Sequence, residues 1–206
     1  MKNLLENFKK QNFKFLNLKE DDETSIVYSK NDGISIIPMA NSDFFKDPMG
    51  KHMMNNAIYM YVEVKGDFVA RTHVDHEFLN VWDAACLMIR TDEDNWAKLC
   101  FEKTDFGTHT LVSVVTKDGV SDDANGANYY WKGVWLQLIR KDNTFSMFYS
   151  PDKSNWHMIR YFSIKANDTI SVGLEAQSPI GKGDATMNFY NFELENYTVK
   201  DLRTGI

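Results

Sequence analysis

The chain has 206 residues, of which 43% are hydrophobic, 25% charged and 14% aromatic. This composition is typical of a globular protein of one large domain or two small ones, and it argues against disorder. A formal net charge of −6 argues against a nucleic-acid-binding protein, which would need a basic surface. With two cysteines, Cys86 and Cys100, the chain has neither a disulfide framework nor a four-cysteine zinc site.

Residues 1–12 predict a short N-terminal arm. They contain neither the apolar core nor the small-residue cleavage site of a secretory signal. Elsewhere in the sequence, no stretch approaches the roughly 18 apolar residues of a transmembrane helix. We therefore expect a cytoplasmic protein without a membrane partner.

Beyond residue 12, apolar and polar residues alternate with a period of two, which is the pattern of half-buried β-strands. The alternating runs, in chain order, are residues 13–18, 26–28, 34–37, 59–64, 85–90, 96–103, 111–116, 134–140, 145–149, 170–177 and 185–194. Turn clusters such as Lys65-Gly66-Asp67 separate the runs, and no crossover helix lies between them. We predict an all-β antiparallel sandwich formed by residues 13–206 as a single domain.

The same alternation sorts side chains between the two faces of each strand. In run 96–103, Trp96, Lys98 and Glu102 share the face opposite an apolar one, and Arg90 joins them if the preceding run pairs as a neighbour. An aromatic ring beside polar groups suits sugar recognition, because the ring covers the apolar sugar face and the polar groups bind hydroxyls. The alternative is an exposed sheet face with ion pairs between strands. The candidate ligand-binding residues are Trp82, Asp83, Arg90, Trp96, Lys98, Glu102, Gln137, Glu175 and Gln177.

A glycosidase would need two carboxylates flanking the scissile bond. Glu102 and Glu175 are the candidate catalytic pair, with Asp83 or Asp122 as a third candidate. No compact E-x-D-x-E strand occurs in the sequence.

Metal and cofactor motifs are absent from the sequence. Residues 121–126 start like a calcium loop but lack its first carboxylate, and Lys132 stands where the bidentate glutamate is needed. The i, i+3 spacing of His73 and His76 is only a weak indication of a zinc site, and we expect both side chains to be solvated. We predict no metal site and no cofactor.

A series of motifs in a specific order resembles one known family. The motifs are Asp43-Phe44-Phe45-Lys46, Gly66-Asp67-Phe68, residues 82–90, residues 96–102, Ser113-Val114-Val115-Thr116, Ser121-Asp122, Trp135 with Arg140, Ser150-Pro151-Asp152 with Trp156, Arg160, Val172-Gly173-Leu174 and Ser178-Pro179. From Phe15 to Glu195 the chain resembles the uncharacterised family related to the fungal regulation-of-enolase protein, within the concanavalin A-like lectin/glucanase jelly rolls.

The resemblance implies a sandwich of two curved sheets whose concave sheet forms a groove. Together with the candidate residues, it leads to the hypothesis of a carbohydrate-binding or carbohydrate-processing protein with its ligand in that groove. The alternative hypothesis is a protein-interaction module that regulates a metabolic enzyme without catalysis. If the protein is an enzyme, we expect a glycosidase that uses paired carboxylates.

Overall fold

The computed structural model describes residues 1–18, 25–29 and 33–206, with residues 27–29 described by backbone alone. A 3₁₀ turn occupies Lys10–Asn12. In chain order the described strands are β1 (Lys2–Asn3), β2 (Lys14–Leu16), β3 (Ile26–Ser29), β4 (Gly33–Ile36), β5 (Phe44–Lys46), β6 (Met53–Asn55), β7 (Ile58–Lys65), β8 (Phe68–His76), β9 (Ala84–Arg90), β10 (Trp96–Lys103), β11 (His109–Lys117), β12 (Val120–Asn128), β13 (Gly133–Lys141), β14 (Thr144–Ser150), β15 (His157–Ser163), β16 (Thr169–Gln177) and β17 (Met187–Glu195).

These strands form two antiparallel sheets that pack face to face. The first sheet has the order β15-β14-β13-β8-β17-β4-β3, with β1 also paired to β17. The second sheet has the order β12-β11-β10-β9-β16-β7-β2. A separate hairpin, β5–β6, lies outside both sheets. The predicted all-β antiparallel sandwich is confirmed.

The inner faces of the two sheets meet in one apolar core. Leu87, Leu99 and Leu174 enter it from the second sheet, and Leu136 and Phe189 enter it from the first. All five are fully buried, and each side chain of this size contributes roughly 1.5–3 kcal/mol through removal from water. Because side chains alternate along each strand, every inward residue leaves its neighbours on an outward face.

Six described strands are absent from the predicted runs: β1, β5, β6, β8, β12 and β15. β12 and β15 are edge strands of the second and first sheets, and both are largely exposed. Their edges lie next to each other, since the Arg160 guanidinium pairs with the Asp122 carboxylate at 2.9 Å across the two sheets. The polar edge strand β12 carries no apolar alternation, so the sequence pattern does not reveal it.

Residues 1–12, expected to form an arm, are joined to the sandwich. Lys2 and Asn3 pair with β17, and Leu5 is fully buried in the core. Among the described residues, no helix has the length and hydropathy needed to cross a membrane.

Candidate functional site

The face of the second sheet that points away from the core, here called the outer face, carries most of the candidate residues. The register of β10, β9 and β16 places Glu102, Ala84 and Gln177 side by side in one row. The next row holds Cys100, Cys86 and Glu175, so the two cysteines lie opposite each other. The outer face therefore combines charged side chains with small ones.

A cavity of about 530 Å³ opens on this face beside the hairpin β5–β6. Its lining combines acidic, aromatic and aliphatic side chains from the second sheet, the hairpin and the connecting loops. The lining residues are Asp43, Phe45, Asp47, His52, Met54, Trp82, Lys98, Glu102, Asp105, Phe106, Val112, Val114, Asp123, Asn125, Gln177, Pro179 and Ile180. Four of the nine predicted ligand-binding residues belong to it: Trp82, Lys98, Glu102 and Gln177.

Lys98 is a fully buried cation on the cavity floor. Its Nζ donates to Asp43 Oδ1 at 2.7 Å and to Gln177 Oε1. Burial lowers the pKa of Lys98, but the negative charges of Asp43 and Glu175 outweigh it and hold that pKa well above its usual value. The ammonium therefore stays charged, and it links the hairpin to the sheet.

Glu102 and Glu175 differ in their access to the cavity. Glu102 lines the cavity although its residue is only 8% exposed, whereas Glu175 is fully buried and absent from the lining. Burial raises the pKa of the Glu102 carboxyl well above its usual range against the opposing Lys98 charge. Burial likewise raises the pKa of Glu175 to about 7, opposed by Lys98 and the Cys86 thiol. The structure does not bring these carboxylates, the predicted catalytic pair, to one cavity.

Asp83 and Trp82 lie at the rim of the cavity. The Asp83 carboxylate accepts hydrogen bonds from the backbone N–H of Asn80 at 2.8 Å and from Ser178 Oγ at 2.7 Å. It thereby ties together the two loops that carry the rim, while its own side chain is fully buried. Trp82 is 36% exposed, lines the cavity and accepts a hydrogen bond from Gln177 Nε2 through its carbonyl.

Trp96, expected to stack on a ligand, has no exposed ring face. It is 1% exposed because the hairpin β5–β6 covers it, and its ring meets Phe44 edge to face with centroids 5.9 Å apart. Phe44 and Tyr59 complete the cluster around it. The aromatic rings at the cavity are instead Trp82, Phe45 and Phe106.

Two further candidates lie away from the cavity. Gln137 lies on β13 of the first sheet, where its buried amide contacts Arg71 and the Gly205 carbonyl. The expectation that it joins the others is corrected, because alternation assigns a face within a strand but not the sheet to which the strand belongs. Arg90 is on the outer face beside Trp96, at the end of β9, and does not line the cavity.

The histidine pair also differs from expectation. His76 is buried and its Nε2 is 2.8 Å from the Phe101 carbonyl oxygen, and burial lowers its pKa to about 3. His73 is half-buried, so the predicted solvated pair is wrong. Within the described residues, no group of three or more His, Cys, Asp or Glu side chains could hold a metal ion.

Sequence reasoning missed the contribution of the hairpin and of the loops. Asp43 begins the hairpin and pairs with Lys98, yet the motif Asp43-Phe44-Phe45-Lys46 carries no alternation that would assign it to a sheet face. Asp123 and Asn125 come from the polar edge strand β12. The signal that could have found the hairpin is the charged and aromatic motif itself, preceding a methionine-rich stretch without strand periodicity.

Comparison with solved structures places this architecture among known β-sandwiches. A functionally unknown protein from Saccharomyces cerevisiae superposes with a TM-score of 0.80 and 23% identity, covering 91% of this chain and 98% of that one. The GH43 protein BlXynB from Bacillus licheniformis gives 0.72 and 16%, covering 95% of this chain and 39% of that one. The carbohydrate binding module CBM66 from Bacillus subtilis gives 0.50 and 16%, covering 68% and 81% respectively. These likenesses establish structural kinship of the fold.

Sequence comparison agrees with the resemblance found from the motifs. Over 171 residues the chain is 23% identical to "Regulation of enolase protein 1" of Saccharomyces cerevisiae, covering 82% of this chain and 84% of the relative. The family model described as "Protein of unknown function (DUF1349)" matches residues 20–197. That match spans most of the sequence, and the chain therefore belongs to the DUF1349 family.

Proposed function

We propose that this protein binds a carbohydrate in the cavity on the outer face of the second sheet. The observation that carries the proposal is the pairing of rings and polar groups in one cavity. Trp82 and Phe106 lie at its mouth, and Lys98, Glu102 and Gln177 lie on its floor. A pyranose has an apolar face and a rim of hydroxyls, so it can use both kinds of contact at once.

The volume and the fold support the same proposal. A cavity of about 530 Å³ lies within the range of small-ligand sites. The structural kinship with a carbohydrate binding module and with a GH43 protein adds support at the level of the fold. Because Glu175 is sealed below the floor, we propose binding rather than hydrolysis.

Binding is tested by screening the purified protein on a glycan array and measuring each hit by calorimetry. Trp82→Ala removes a ring at the mouth, and we expect about tenfold weaker binding. Trp131→Ala is the matched control, since Trp131 is 68% exposed but lies outside the cavity lining. Equal affinities for the two variants, or no glycan bound, would contradict the proposal.

A second candidate is a protein partner that docks at the mouth of the cavity. Phe106 and Ile180 are 77% and 57% exposed there, and exposed apolar side chains around a cavity also suit a protein interface. A relative is named as a regulator of enolase, which makes a metabolic enzyme the first partner to test. Co-sedimentation with purified enolase, retained in Trp131→Ala and lost in Phe106→Ser, would favour this candidate over a sugar.

A further inference from the structure

Glu102 is a buried carboxyl group that faces the cavity without a partner. It is more than nine-tenths buried and lines the cavity, and no hydrogen bond or ion pair links its side chain to any residue that the structure describes. Its carboxyl oxygens are not among the sealed, unpartnered polar atoms of the described residues, so they open onto the cavity. A molecule that enters the cavity can therefore pair with Glu102.

Lys98 does not fill that role. Its ammonium is engaged by Asp43 and Gln177 on the side of the hairpin and β16. Of the described lysines, it is also the one that lines the cavity. The Lys98 ammonium is thus already bonded to other acceptors.

The rest of the lining adds negative charge around Glu102. Asp47, Asp105 and Asp123 also line the cavity, and hydrogen bonds from the Met49 and Lys51 backbone hold the pKa of Asp47 below its usual value. Asp43, Asp123 and Glu175 each raise the pKa of Glu102 further through their charge. An anionic ligand is repelled by this lining. A neutral ligand can give Glu102 a hydrogen bond from a hydroxyl, whereas a cationic ligand can also pair with its charge.

A bare metal ion does not fit the arrangement. In the described part of the chain, no three acidic, histidine or cysteine side chains converge closely enough to hold a metal ion. Apolar groups, among them Val112, Val114 and Ile180, share the lining with the acids. The chemistry that fits is an organic molecule with an apolar face and a positive charge.

We propose that the ligand is an amine-bearing sugar whose protonated amino group pairs with the Glu102 carboxylate. This inference rests on the proposed carbohydrate function and specifies the ligand class. In the complex the sugar ring lies against Trp82 and Phe106 at the mouth, and the ammonium donates to Glu102 at the floor. The positive charge of the amino group favours the charged form of the Glu102 carboxyl group.

The test compares sugars that differ in one substituent. Glucosamine, galactosamine and mannosamine are each titrated beside the parent sugar, the N-acetyl derivative and the corresponding uronic acid, with spermidine as a cation that is not a sugar. We expect at least one amino sugar to bind about tenfold more tightly than its parent, because a charge-assisted hydrogen bond to Glu102 replaces the neutral hydrogen bond of a hydroxyl. Calorimetry measures each affinity.

Variants assign the preference to Glu102. Glu102→Gln keeps the shape and removes the charge, so the amino sugar should fall to the affinity of its parent. Asp123→Asn, on the exposed edge strand, should lower the preference by a smaller factor of about two. Glu6→Gln, an exposed glutamate outside the cavity, is the matched control and should keep the full preference.

The outcomes separate this inference from the proposed function. If a parent or N-acetyl sugar binds as tightly as its amine, the carbohydrate function stands and the amine inference is overturned. If spermidine binds as tightly as every amino sugar, both are overturned, because the site then selects charge without a sugar. If no sugar on the panel or the array binds, both are likewise overturned.

Discussion

At Glu175, burial raises the pKa of the carboxyl group and the positive charge of Lys98 opposes that effect. Neither of its carboxylate oxygens has an oxygen or nitrogen partner among the described residues, and burial raises its pKa to about 7 from the usual 4.5. The folded state therefore holds this proton more tightly than the unfolded state does. The stability that comes from this tighter binding of the proton is complete below pH 4.5 and is lost as the pH rises to about 7.

Glu175→Gln should remove this dependence on pH. We compare the free energy of unfolding of the variant with that of the unsubstituted protein at each pH. From pH 4.5 to 7.5 the difference should shift by about 3 kcal/mol in favour of the variant. Urea unfolding at several pH values measures the difference, with Glu6→Gln as the exposed control. Stability curves that run parallel for the two proteins would contradict the assignment.

At the level of elements, the hairpin β5–β6 is held on the outer face by charge and by packing. Asp43 pairs with the buried Lys98, and Phe44 packs on Trp96. At the far end of β5, the Lys46 backbone N–H donates to Ser121 Oγ at 2.9 Å. The hairpin thereby forms one wall of the cavity and covers the outer face of the sheet around Trp96.

The buried ion pair should dominate the attachment of the hairpin. Asp43→Asn leaves the Lys98 cation without its closest counter-charge, and we expect a loss of about 3 kcal/mol in the free energy of unfolding. The double variant Asp43→Asn/Lys98→Met buries no unpaired cation, so it should be more stable than the sum of the single changes predicts. Urea unfolding of all four proteins gives the coupling energy.

An exposed ion pair provides the control for that cycle. Lys14 and Glu63 pair at 2.7 Å with both side chains more than half exposed, and Glu63→Gln should change stability by less than about 1 kcal/mol. Additive effects of Asp43→Asn and Lys98→Met would show that the buried pair is not coupled, and would leave Phe44 packing as the main attachment.

Sequence alternation predicted the faces of the central strands but not what covers them. It placed Trp96, Lys98 and Glu102 on one face, and the register confirms that arrangement. It also offered Trp96 as an exposed ring, because the hairpin that buries Trp96 joins neither sheet and leaves no periodic signal. Gln137 shows the other limit, since two strands with the same pattern can belong to different sheets.

For the whole molecule, the accessibility of the two thiols at the cavity floor should depend on whether the sandwich is folded. Cys86 and Cys100 lie opposite each other on β9 and β10. Strand β9 is the central strand of the second sheet. Both thiols are fully buried, and burial raises the pKa of each. Neither thiol is therefore accessible in the folded state, and we expect both to become exposed only when the sandwich unfolds.

Thiol labelling should report that coupling. Neither thiol should react with a disulfide reagent on the time scale of an exposed cysteine, introduced as Glu6→Cys, and both should react in high urea. At intermediate urea concentrations, the labelling rate should follow the population of unfolded protein measured by circular dichroism, because opening and unfolding are the same event. Fast labelling of Cys86 or Cys100 in the absence of urea would show instead that the cavity floor opens locally, while the sandwich stays folded.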